Sequence, residues 1–435
     1  MVETYTQALD YIYSFVDFSL TKNLRYSPEK FDLQRMRAFL NLIDNPQQNY
    51  KIIHVAGTKG KGSTAAMITS ILSANGYKTG FYTSPHMIDF SERIRIGDAQ
   101  ISQNEITNYV NKLEPFIKNI PELTTFEIIT GLAFKYFSDH KVDFGVIEVG
   151  MGGRFDATNV VIPQISVITS ISFDHTKVLG KTLKKIAYEK AGIIKENIPV
   201  IVSSQKSSPL KEIKRIARER KARLIYAPEL YKVEARSHSL DGQTFRVMKT
   251  KDTFVDISIP LLGDHQIDNA LTAYACIEEL IRQGVKIGSD KVAEGFKKIK
   301  WPGRFEIINR KPLVIIDGAH NLDSFKKLSG TIKKYLPKKK IILIFGASED
   351  KAVESMLETI QPLIKTLIIT RSEHPRAMEL NKVEIIAKSL DFPFVIQGNI
   401  KNAIGEALVR CDDTTAIIAA GSIFIAGAVK ENFKG

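Results

Sequence analysis

The sequence predicts an α/β protein with two domains, each built on a parallel sheet. Apolar β-branched runs alternate with amphipathic helical stretches along most of the chain, which is typical of a parallel sheet covered by helices. The length of 435 residues exceeds the size at which a single core stops growing. The sequence Trp301-Pro302-Gly303-Arg304 interrupts regular structure. We therefore predict one domain at residues 1–300 and a second at residues 301–435.

The first domain is predicted to contain a parallel sheet and a small antiparallel addition. Short β-branched runs mark its strands, which we expect at Lys51–Ala56, Thr79–Thr83, Asp143–Val149, Gln164–Ser170 and Pro199–Ser203. A period near 3.6 marks its helices, which we expect at Ser63–Asn75, Phe126–Phe137, Leu183–Ile194 and Leu210–Arg220. Between about residues 230 and 260 short alternating runs flank Asp241-Gly242, a dipeptide typical of hairpin turns.

The second domain is predicted to be a smaller, Rossmann-like doubly wound unit. Its apolar strand runs are each followed by a helical segment, and we expect them at Leu313–Ile316, Ile341–Phe345, Thr366–Thr370, Phe394–Ile396 and Thr415–Ala419.

Composition excludes several classes of protein. Hydrophobic residues make up 44% and charged residues 25% of the chain, which argues against disorder and fibrous structure. No apolar run approaches the ~18 residues that a membrane-spanning helix needs, and the first residues lack the pattern of a signal peptide. Cys276 and Cys411 are expected to be reduced, buried thiols. These features predict a cytoplasmic protein with no membrane partner.

The formal net charge of +13 raises the question of a nucleic-acid partner. Nucleic-acid binders usually concentrate their charge in a stripe. Here the excess is spread over both predicted domains, and the densest cluster is only Lys338–Lys340. We therefore predict small anionic substrates and no nucleic acid.

The strongest motif is a glycine-rich loop between a predicted strand and a predicted helix. It consists of Gly57, Thr58, Lys59, Gly60, Lys61, Gly62 and Ser63. Such a loop lets backbone N–H groups approach phosphate oxygens, while a lysine reaches the terminal phosphates and a serine faces Mg²⁺. It departs from the usual spacing because Val55 stands where the first glycine would be and Gly62 separates Lys61 from Ser63. The loop predicts a site for ATP.

A second block, DFGVIEVGMGGRFDATN at residues 143–159, places a carboxylate at the end of an apolar strand. A buried Glu148 is costly unless it is paired or binds a cation, and a carboxylate beside a phosphate loop suits Mg²⁺ with ATP. The following Arg154, Phe155 and Asp156 lie in a glycine-rich loop that is suited to a charged substrate.

These segments resemble one family in the same order and at fitting intervals. GTKGKGS at 57–63, TSPH at 83–86, EVGMGGRFDATN at 148–159, EKAGI at 189–193, HQIDN at 265–269 and DGAHN at 317–321 are similar to motifs of the folylpolyglutamate synthase and dihydrofolate synthase family. That family belongs to the Mur ligase group of ATP-dependent amide-bond formers. The resemblance implies a two-domain Mur ligase-like fold and ATP-dependent ligation of L-glutamate to folate, folate polyglutamates or dihydropteroate, through an acyl phosphate.

The resemblance also implies a metal and catalytic set. Ser84 would bind Mg²⁺ and His175 a second Mg²⁺, and Glu148 belongs to the same metal set. Lys190 would be carbamylated and support that second metal, and Lys61 would act on the phosphates. The catalytic residues implied are thus Lys61, Glu148, His175 and Lys190, and a requirement for a monovalent cation is left open.

For the substrates, the resemblance assigns two further sets of residues. Asn269, Arg304, Asp317 and His320 would contact ATP. The pterin or folate would contact Phe31, Asp32 and Leu33, the helix start Thr124, Thr125 and Phe126, and the loop Arg154, Phe155 and Asp156. His86, His374 and Arg376 lie in or near these segments without an assigned role.

Two alternatives stay open from the sequence. A Mur-type ligase acting on a UDP-sugar peptide shares the chemistry, and a P-loop ATPase associated with nucleic acid shares the loop and the positive charge. The second leaves the HQIDN, DGAHN and EKAGI segments unexplained. We further expect a monomer.

Overall fold

The computed structural model describes residues 1–16, 33–249 and 253–433. The chain forms two compact units and alternates between them. The first unit consists of Met1–Ala235, Phe245–Ser258 and Ile267–Lys300. The second consists of Arg236–Thr244, Ile259–Gln266 and Trp301–Gly435.

The first unit is built on a sheet with the strand order β4-β3-β2-β5-β1-β6-β7-β8. Its strands are β1 (Lys51–Ala56), β2 (Thr79–Tyr82), β3 (Ile94–Ile96), β4 (Ala99–Gln100), β5 (Phe144–Glu148), β6 (Ile165–Ile168), β7 (Val200–Val202) and β8 (Leu224–Tyr226). The strands β2, β5, β1, β6, β7 and β8 run parallel to one another. At one edge, β3 pairs antiparallel with β2, and β4 pairs antiparallel with β3. The carboxyl ends of β1, β2, β5 and β6 therefore meet at one edge, where parallel sheets bind ligands.

Helices cover this sheet. They are α1 (Tyr5–Tyr13), α2 (Leu33–Leu42), α3 (Lys61–Ala74), α4 (Gln103–Ile117), α5 (Thr125–Asp139), α6 (Thr176–Leu179), α7 (Leu183–Lys190), α8 (Ser207–Glu219), α9 (Ala227–Leu230), α10 (Asp264–Arg282) and α11 (Ser289–Lys298). One apolar cluster joins α1, α2, α4 and α5, and a second joins α7 and α8 to β6 and β7. Buried aromatic rings such as Phe39, Phe134 and Phe137 fill the first cluster, and burying each ring stabilises the fold by about 1.5–3 kcal/mol.

A small sheet occupies the stretch in which the chain alternates between the units. It has the order β11-β10-β9, with β9 (Lys232–Ser239), β10 (Gly242–Met248) and β11 (Phe254–Ile259). Only two residues connect β9 to β10, and so short a connection joins antiparallel neighbours. The predicted antiparallel addition is therefore present, with its turn at Leu240-Asp241, one residue before the predicted Asp241-Gly242.

The second unit carries a sheet with the order β12-β13-β17-β14-β15-β16. Its strands are β12 (Glu306–Arg310), β13 (Leu313–Ile316), β14 (Lys340–Phe345), β15 (Ile364–Ile369), β16 (Phe394–Ile396) and β17 (Thr415–Ala420). Its helices are α12 (Leu322–Tyr335), α13 (Val353–Ile360), α14 (Leu380–Ser389), α15 (Ile400–Arg410) and α16 (Ile423–Asn432). The pairs from β13 to β16 are parallel, and β12 is an antiparallel edge strand. The predicted α/β class and Rossmann-like second sheet are confirmed.

Differences from the predicted elements are small and have local causes. The strand ends shift by one or two residues, and α7 ends at Lys190 because Ala191–Ile193 tighten into a 3₁₀ turn. Several elements have no predicted counterpart, among them α1, α2, α4, β3, β4, β8 and β12. The expectation of two buried thiols is right for Cys276 and wrong for Cys411, which is half-buried; both are free. No helix in the described ranges is long and apolar enough to cross a bilayer.

Candidate functional site

The predicted phosphate loop connects β1 to α3 in a fixed, close-packed conformation. The Thr58 and Lys59 N–H groups donate to the Ser170 carbonyl at 2.9 and 3.1 Å. Gly57 and Gly60 have φ values of 150° and 89°. A Cβ on Gly57 would lie 1.8 Å from Thr169 Oγ1, so side chains are excluded there by contact as well as by conformation.

The nucleotide asparagine implied by the sequence lies against this loop. A Cβ on Gly60 would lie 2.1 Å from Asn269 Oδ1, which places the amide of α10 beside the loop. Ser63 is buried in the first turn of α3, where unpaired N–H groups and the helix dipole favour an anion. The loop therefore combines N–H donors, a lysine and an amide around a space suited to phosphates.

Glu148 ends β5 and is only 4% exposed. Its Oε1 lies 3.6 Å from Lys61 Nζ, and its Oε2 accepts a hydrogen bond from Thr83 Oγ1. Because Tyr82 of β2 pairs with the residue before Glu148, the predicted ligand Ser84 follows its strand at the same edge of the sheet. Thr83 is a site residue that the sequence analysis missed, since its partner is known only once β2 is placed next to β5.

Lys59 forms a second ion pair, with Asp174, the residue before His175. Lys59 Nζ lies 3.0 Å from Asp174 Oδ2, and both side chains are largely buried. His175 itself has a left-handed backbone, its N–H donates to Asp174 Oδ1, and its side chain is 45% exposed. The structure thus gives Asp174 a direct contact with the loop lysine, while the imidazole of His175 stays accessible.

Lys190 is 4% exposed at the end of α7. Its Nζ donates to the Gly57 carbonyl at 2.8 Å, which ties it to the phosphate loop. Burial, together with the nearby charge of Lys61, lowers the pKa of Lys190 to about 7. A large fraction of this amine is therefore neutral near physiological pH.

The predicted substrate loop has an exposed side and a buried side. Arg154 lies with its guanidinium 3.9 Å from the centre of the Tyr188 ring, a cation–π contact. Asp156 is buried and accepts hydrogen bonds from Met151 N and Thr158 Oγ1, while burial raises its pKa. Thr158 Oγ1 in turn lies 2.8 Å from Nε2 of His54. Asp156 therefore holds the two ends of the loop together through these hydrogen bonds.

Besides the loop at residues 154–156, the predicted pterin residues form two segments, 31–33 and 124–126. Phe31 and Asp32 lie outside the described residues, and Leu33 begins α2. Thr124 caps α5 through its hydroxyl, so its side chain serves the helix start.

The next two residues of that segment differ in what they contact. Thr125 Oγ1 donates to the carbonyls of Ile12 and Phe15 at 3.0 and 3.1 Å. Phe126 is half-buried, and its ring packs so closely on Gly150 that a Cβ there would lie 2.5 Å from it. Of the three, Phe126 is the one with an aromatic ring, which is the kind of group that stacks on a planar substrate.

The remaining ATP residues lie in the second unit, around the end of β13. Asp317 is half-buried there, and its carboxylate accepts hydrogen bonds from Phe305 N and Ala319 N at 2.8 Å each. Burial raises its pKa, and the nearby Arg304 guanidinium opposes that rise. His320 Nδ1 lies 2.8 Å from a backbone carbonyl of the same loop. The unit thus gathers Arg304, Asp317 and His320 at one strand end.

The side chains without an assigned role are held by neighbours. His86 Nδ1 accepts a hydrogen bond from Arg93 Nε at 2.9 Å. His374 stacks on Phe424 with ring centres 4.1 Å apart, and its Nδ1 accepts from the Arg376 N–H at 3.2 Å.

The donor set fits Mg²⁺ held jointly with phosphate. Within the ranges that the structure describes, no group of three or more His, Cys, Asp and Glu side chains could hold a metal by itself. Mg²⁺ commonly takes one or two carboxylates and completes its shell with water and substrate phosphates. Glu148, beside Lys61 and the loop, has the right chemistry for that arrangement.

Comparison with known proteins identifies the class. Residues 55–277 match the Mur ligase middle domain, and residues 303–423 match the glutamate ligase domain of Mur ligases. The folylpolyglutamate synthase of Lacticaseibacillus casei is 32% identical over 443 residues, covering 99% of each chain. The dihydrofolate synthase/folylpolyglutamate synthase of Bacillus subtilis is 36% identical over 352 residues, covering 79% of this chain and 82% of the relative.

Solved structures agree with these relatives. Mycobacterium tuberculosis folylpolyglutamate synthase complexed with ADP superimposes with a TM-score of 0.89 at 30% identity, covering 98% of each chain. The Thermotoga maritima folylpolyglutamate synthase gives a TM-score of 0.85 at 32% identity, covering 98% of this chain and 96% of that one.

The fold and the loop therefore define an ATP-dependent ligase of the Mur type. Within that class, the chain belongs to the folylpolyglutamate synthase and dihydrofolate synthase family. The family, fold class and enzyme class predicted from the sequence are confirmed. The UDP-sugar ligase and the nucleic-acid-associated ATPase are not favoured.

Proposed function

We propose that this ligase joins the amino group of L-glutamate to a carboxylate of tetrahydrofolate or its polyglutamates, at the expense of ATP. The observation that carries the proposal is the pairing of Lys61 with Glu148 beside the Gly57–Ser63 loop, in a chain whose relatives are named for this reaction. The same chemistry on dihydropteroate would yield dihydrofolate, and we propose it as a second activity.

In the first step, a carboxylate oxygen of the folate would attack the γ-phosphorus of ATP. The new O–P bond forms an acyl phosphate as the bond to ADP breaks. Lys61 would offset negative charge on the transferred group, and the loop N–H groups would orient the phosphates. Asn269 lies against the loop at Gly60 and would limit the positions open to the nucleotide.

In the second step, the glutamate amine would attack the activated carbonyl carbon. The C–O bond to phosphate breaks, inorganic phosphate leaves, and the amine loses a proton as the amide forms. Ser84, Glu148, His175 and carbamylated Lys190 would hold Mg²⁺, which would supply charge neutralisation for phosphates and the tetrahedral intermediate. Arg154 offers a cation for the substrate carboxylates, while Phe126 and Phe155 offer aromatic contact with a pterin.

In the second unit, Arg304, Asp317 and His320 would bind the rest of the nucleotide. Phe305 N and Ala319 N hold the Asp317 carboxylate, and the Gly318 carbonyl holds the His320 imidazole, so each side chain would meet ATP in a preset orientation. A monomeric state, a cytoplasmic location, the absence of nucleic-acid and membrane partners, and the domain boundary at residues 300/301 stay predictions.

The direct test supplies the purified chain with ATP, Mg²⁺, L-glutamate and either tetrahydrofolate or dihydropteroate. We expect ADP release together with a product heavier by one glutamyl residue, detected by mass spectrometry. Tetrahydrofolate without product would exclude the synthase activity proposed first, and dihydropteroate without product would restrict the enzyme to folates. If both acceptors are inert, the proposal is wrong.

Carbamylation of Lys190 is a separate prediction. A neutral amine nitrogen can attack CO₂ with loss of a proton, and the pKa of about 7 supplies neutral amine near pH 7. The product would keep one N–H, enough to retain the 2.8 Å bond to the Gly57 carbonyl. We expect a carbamate signal by NMR after exposure to ¹³C-bicarbonate.

The matched control for this prediction is Lys195, another largely buried lysine whose pKa is lowered to about 8. Lys190→Gln should abolish the carbamate signal and lower kcat by at least tenfold. Lys195→Gln should keep the signal. A signal that survives Lys190→Gln, or no signal in the unaltered enzyme, would exclude the modification at this site.

A further inference from the structure

A large cavity opens at the amino end of the first sheet. Its volume is about 1010 Å³, within the upper range of small-molecule sites. It lies where Lys51 begins β1, and Arg37 on α2 and Lys195 also line it. We call it the amino-edge cavity.

The amino-edge cavity is separate from the phosphate loop. The loop follows the last residue of β1, whereas the cavity adjoins the first. Six residues of strand separate these ends by roughly 20 Å. All the residues that line it are in the first unit and in the described part of the chain.

Its lining carries uncompensated positive charge. Arg37, Lys51 and Lys195 make no ion pair with a carboxylate among the described residues. Lys195 Nζ instead donates to Asn159 O and Oδ1 at 2.7 and 2.8 Å. The lining has one carboxylate, Asp143, whose Oδ2 already accepts a backbone N–H at 2.8 Å. Three cations facing one engaged carboxylate favour an anionic occupant.

Two polar atoms in the cavity wall lack a hydrogen-bond partner among the residues that the structure describes. Gln47 is 8% exposed, and its Oε1 has no hydrogen bond. The Tyr50 hydroxyl is likewise buried without a partner. Buried polar groups are usually hydrogen-bonded, so these two side chains have hydrogen-bonding capacity that no described neighbour uses.

We propose that the amino-edge cavity binds a small polyanion that carries two or more carboxylate or phosphate groups. Arg37 and Lys51 pair with its charges, and Gln47 and Tyr50 bond its polar groups once their buried polar atoms turn towards the cavity. Arg37 and Lys51 are exposed at the cavity, and Lys51 Nζ also lies 5.6 Å from the centre of the Phe144 ring. This site is separate from the phosphate loop.

The test is calorimetric titration of the whole chain, first saturated with ADP and Mg²⁺ so that the phosphate loop is filled. One arm uses γ-linked triglutamate as a carboxylate probe, and the other uses inorganic tripolyphosphate. We expect one further equivalent to bind in at least one arm, and the arm that responds identifies the ligand as carboxylate or phosphate. Binding in neither arm overturns the proposal.

Variants assign the binding to this cavity. The double variant Arg37→Gln/Lys51→Gln should weaken binding at least tenfold, whereas Arg37→Lys/Lys51→Arg should stay within threefold of the unaltered chain. Lys211→Gln removes an exposed cation of α8 outside the cavity and should change nothing. Unfolding temperatures of the variants verify folding. Equal affinity in the Gln double variant and the unaltered chain would place the probe elsewhere and overturn the proposal.

Discussion

Individual side chains in this ligase show how burial sets protonation next to a phosphate-binding loop. Lys190 loses much of its positive charge because it is buried close to Lys61. Asp156 is buried too, yet Met151 N and Thr158 Oγ1 donate to its carboxylate and so oppose the rise in its pKa. Burial therefore lowers the pKa of the Lys190 amine and raises the pKa of the Asp156 carboxylate, which its hydrogen-bond donors hold as a structural acceptor.

His54 gives a prediction of how stability depends on pH. It is fully buried on β1, and desolvation, helped by Lys195, lowers its pKa to about 3 from an ordinary 6.5. Below pH 6.5 the unfolded chain takes up a proton that the folded chain excludes, so this group removes stability as the pH falls from 6.5 towards 3. The expected loss is about 1.4 kcal/mol per pH unit.

The measurement compares the unaltered chain with His54→Asn in urea at pH 7.5 and pH 5.5. The variant should be less stable at pH 7.5, because it loses the contact with Thr158. The difference between the two proteins should narrow by about 1 kcal/mol at pH 5.5. A difference that does not change with pH would mean that His54 is not kept neutral by burial.

Several contacts between side chains of the site were not predictable from the sequence. Lys59 and Asp174 lie 115 residues apart, and their contact exists only because β6 runs next to β1. The Thr83–Glu148 bond likewise requires that β2 pairs with β5. Local motifs identified the loop and the carboxylate, but strand order decides which side chains touch.

At the scale of elements, α1 is tied to α5 by one hydroxyl. Thr125 Oγ1 donates to Ile12 O, one of the carbonyls that the end of α1 leaves unpaired, and to Phe15 O, which follows the helix. The helix also buries Ala8 and Ile12. Docking of α1 thus depends on a residue that the family resemblance assigned to the pterin.

Thr125→Val should loosen α1 without changing the shape of the site. Removing the hydroxyl leaves two carbonyls without a donor, and we expect a loss of about 1–3 kcal/mol in unfolding free energy. Hydrogen exchange of Tyr5–Tyr13 should become faster. Thr125→Ser keeps the hydroxyl and should behave like the unaltered chain; if the Val and Ser variants are equally stable, the hydroxyl does not anchor α1.

The elements that the sequence predicts best are those with strong local patterns. The β-branched runs of β1 and β14 were located to within one residue, because a buried parallel strand is apolar throughout. β12 escaped prediction, since Glu306–Arg310 is an edge strand with mixed exposure. α1 had a usable signal, the capping box formed by Thr4 and Gln7.

At the scale of the whole molecule, the chain contributes two early segments to its second unit. Tyr335 of α12 donates its hydroxyl to Gln243 Oε1 at 3.0 Å, and Leu262 is buried in the same apolar cluster. Both partners precede residue 301. The second unit is therefore not made by a continuous stretch of chain.

A fragment that begins at Trp301 should accordingly fold poorly. We expect residues 301–435 alone to melt at a lower temperature and less cooperatively than a fusion in which residues 236–266 precede them through a flexible linker. Circular dichroism at increasing temperature measures both. Equal melting curves would show that Gln243 and Leu262 add nothing to this unit.

Because the second unit includes segments that precede residue 301, the position of the junction matters when two of these enzymes are recombined. Swapping catalytic halves between relatives at a single gene junction near codon 301 would pair one parent's Tyr335 with the other parent's Gln243 and Leu262. Chimaeras should therefore work best when the short segments 236–244 and 259–266 come from the parent that supplies residues 301–435. The three segments 236–244, 259–266 and 301–435 should therefore be exchanged together.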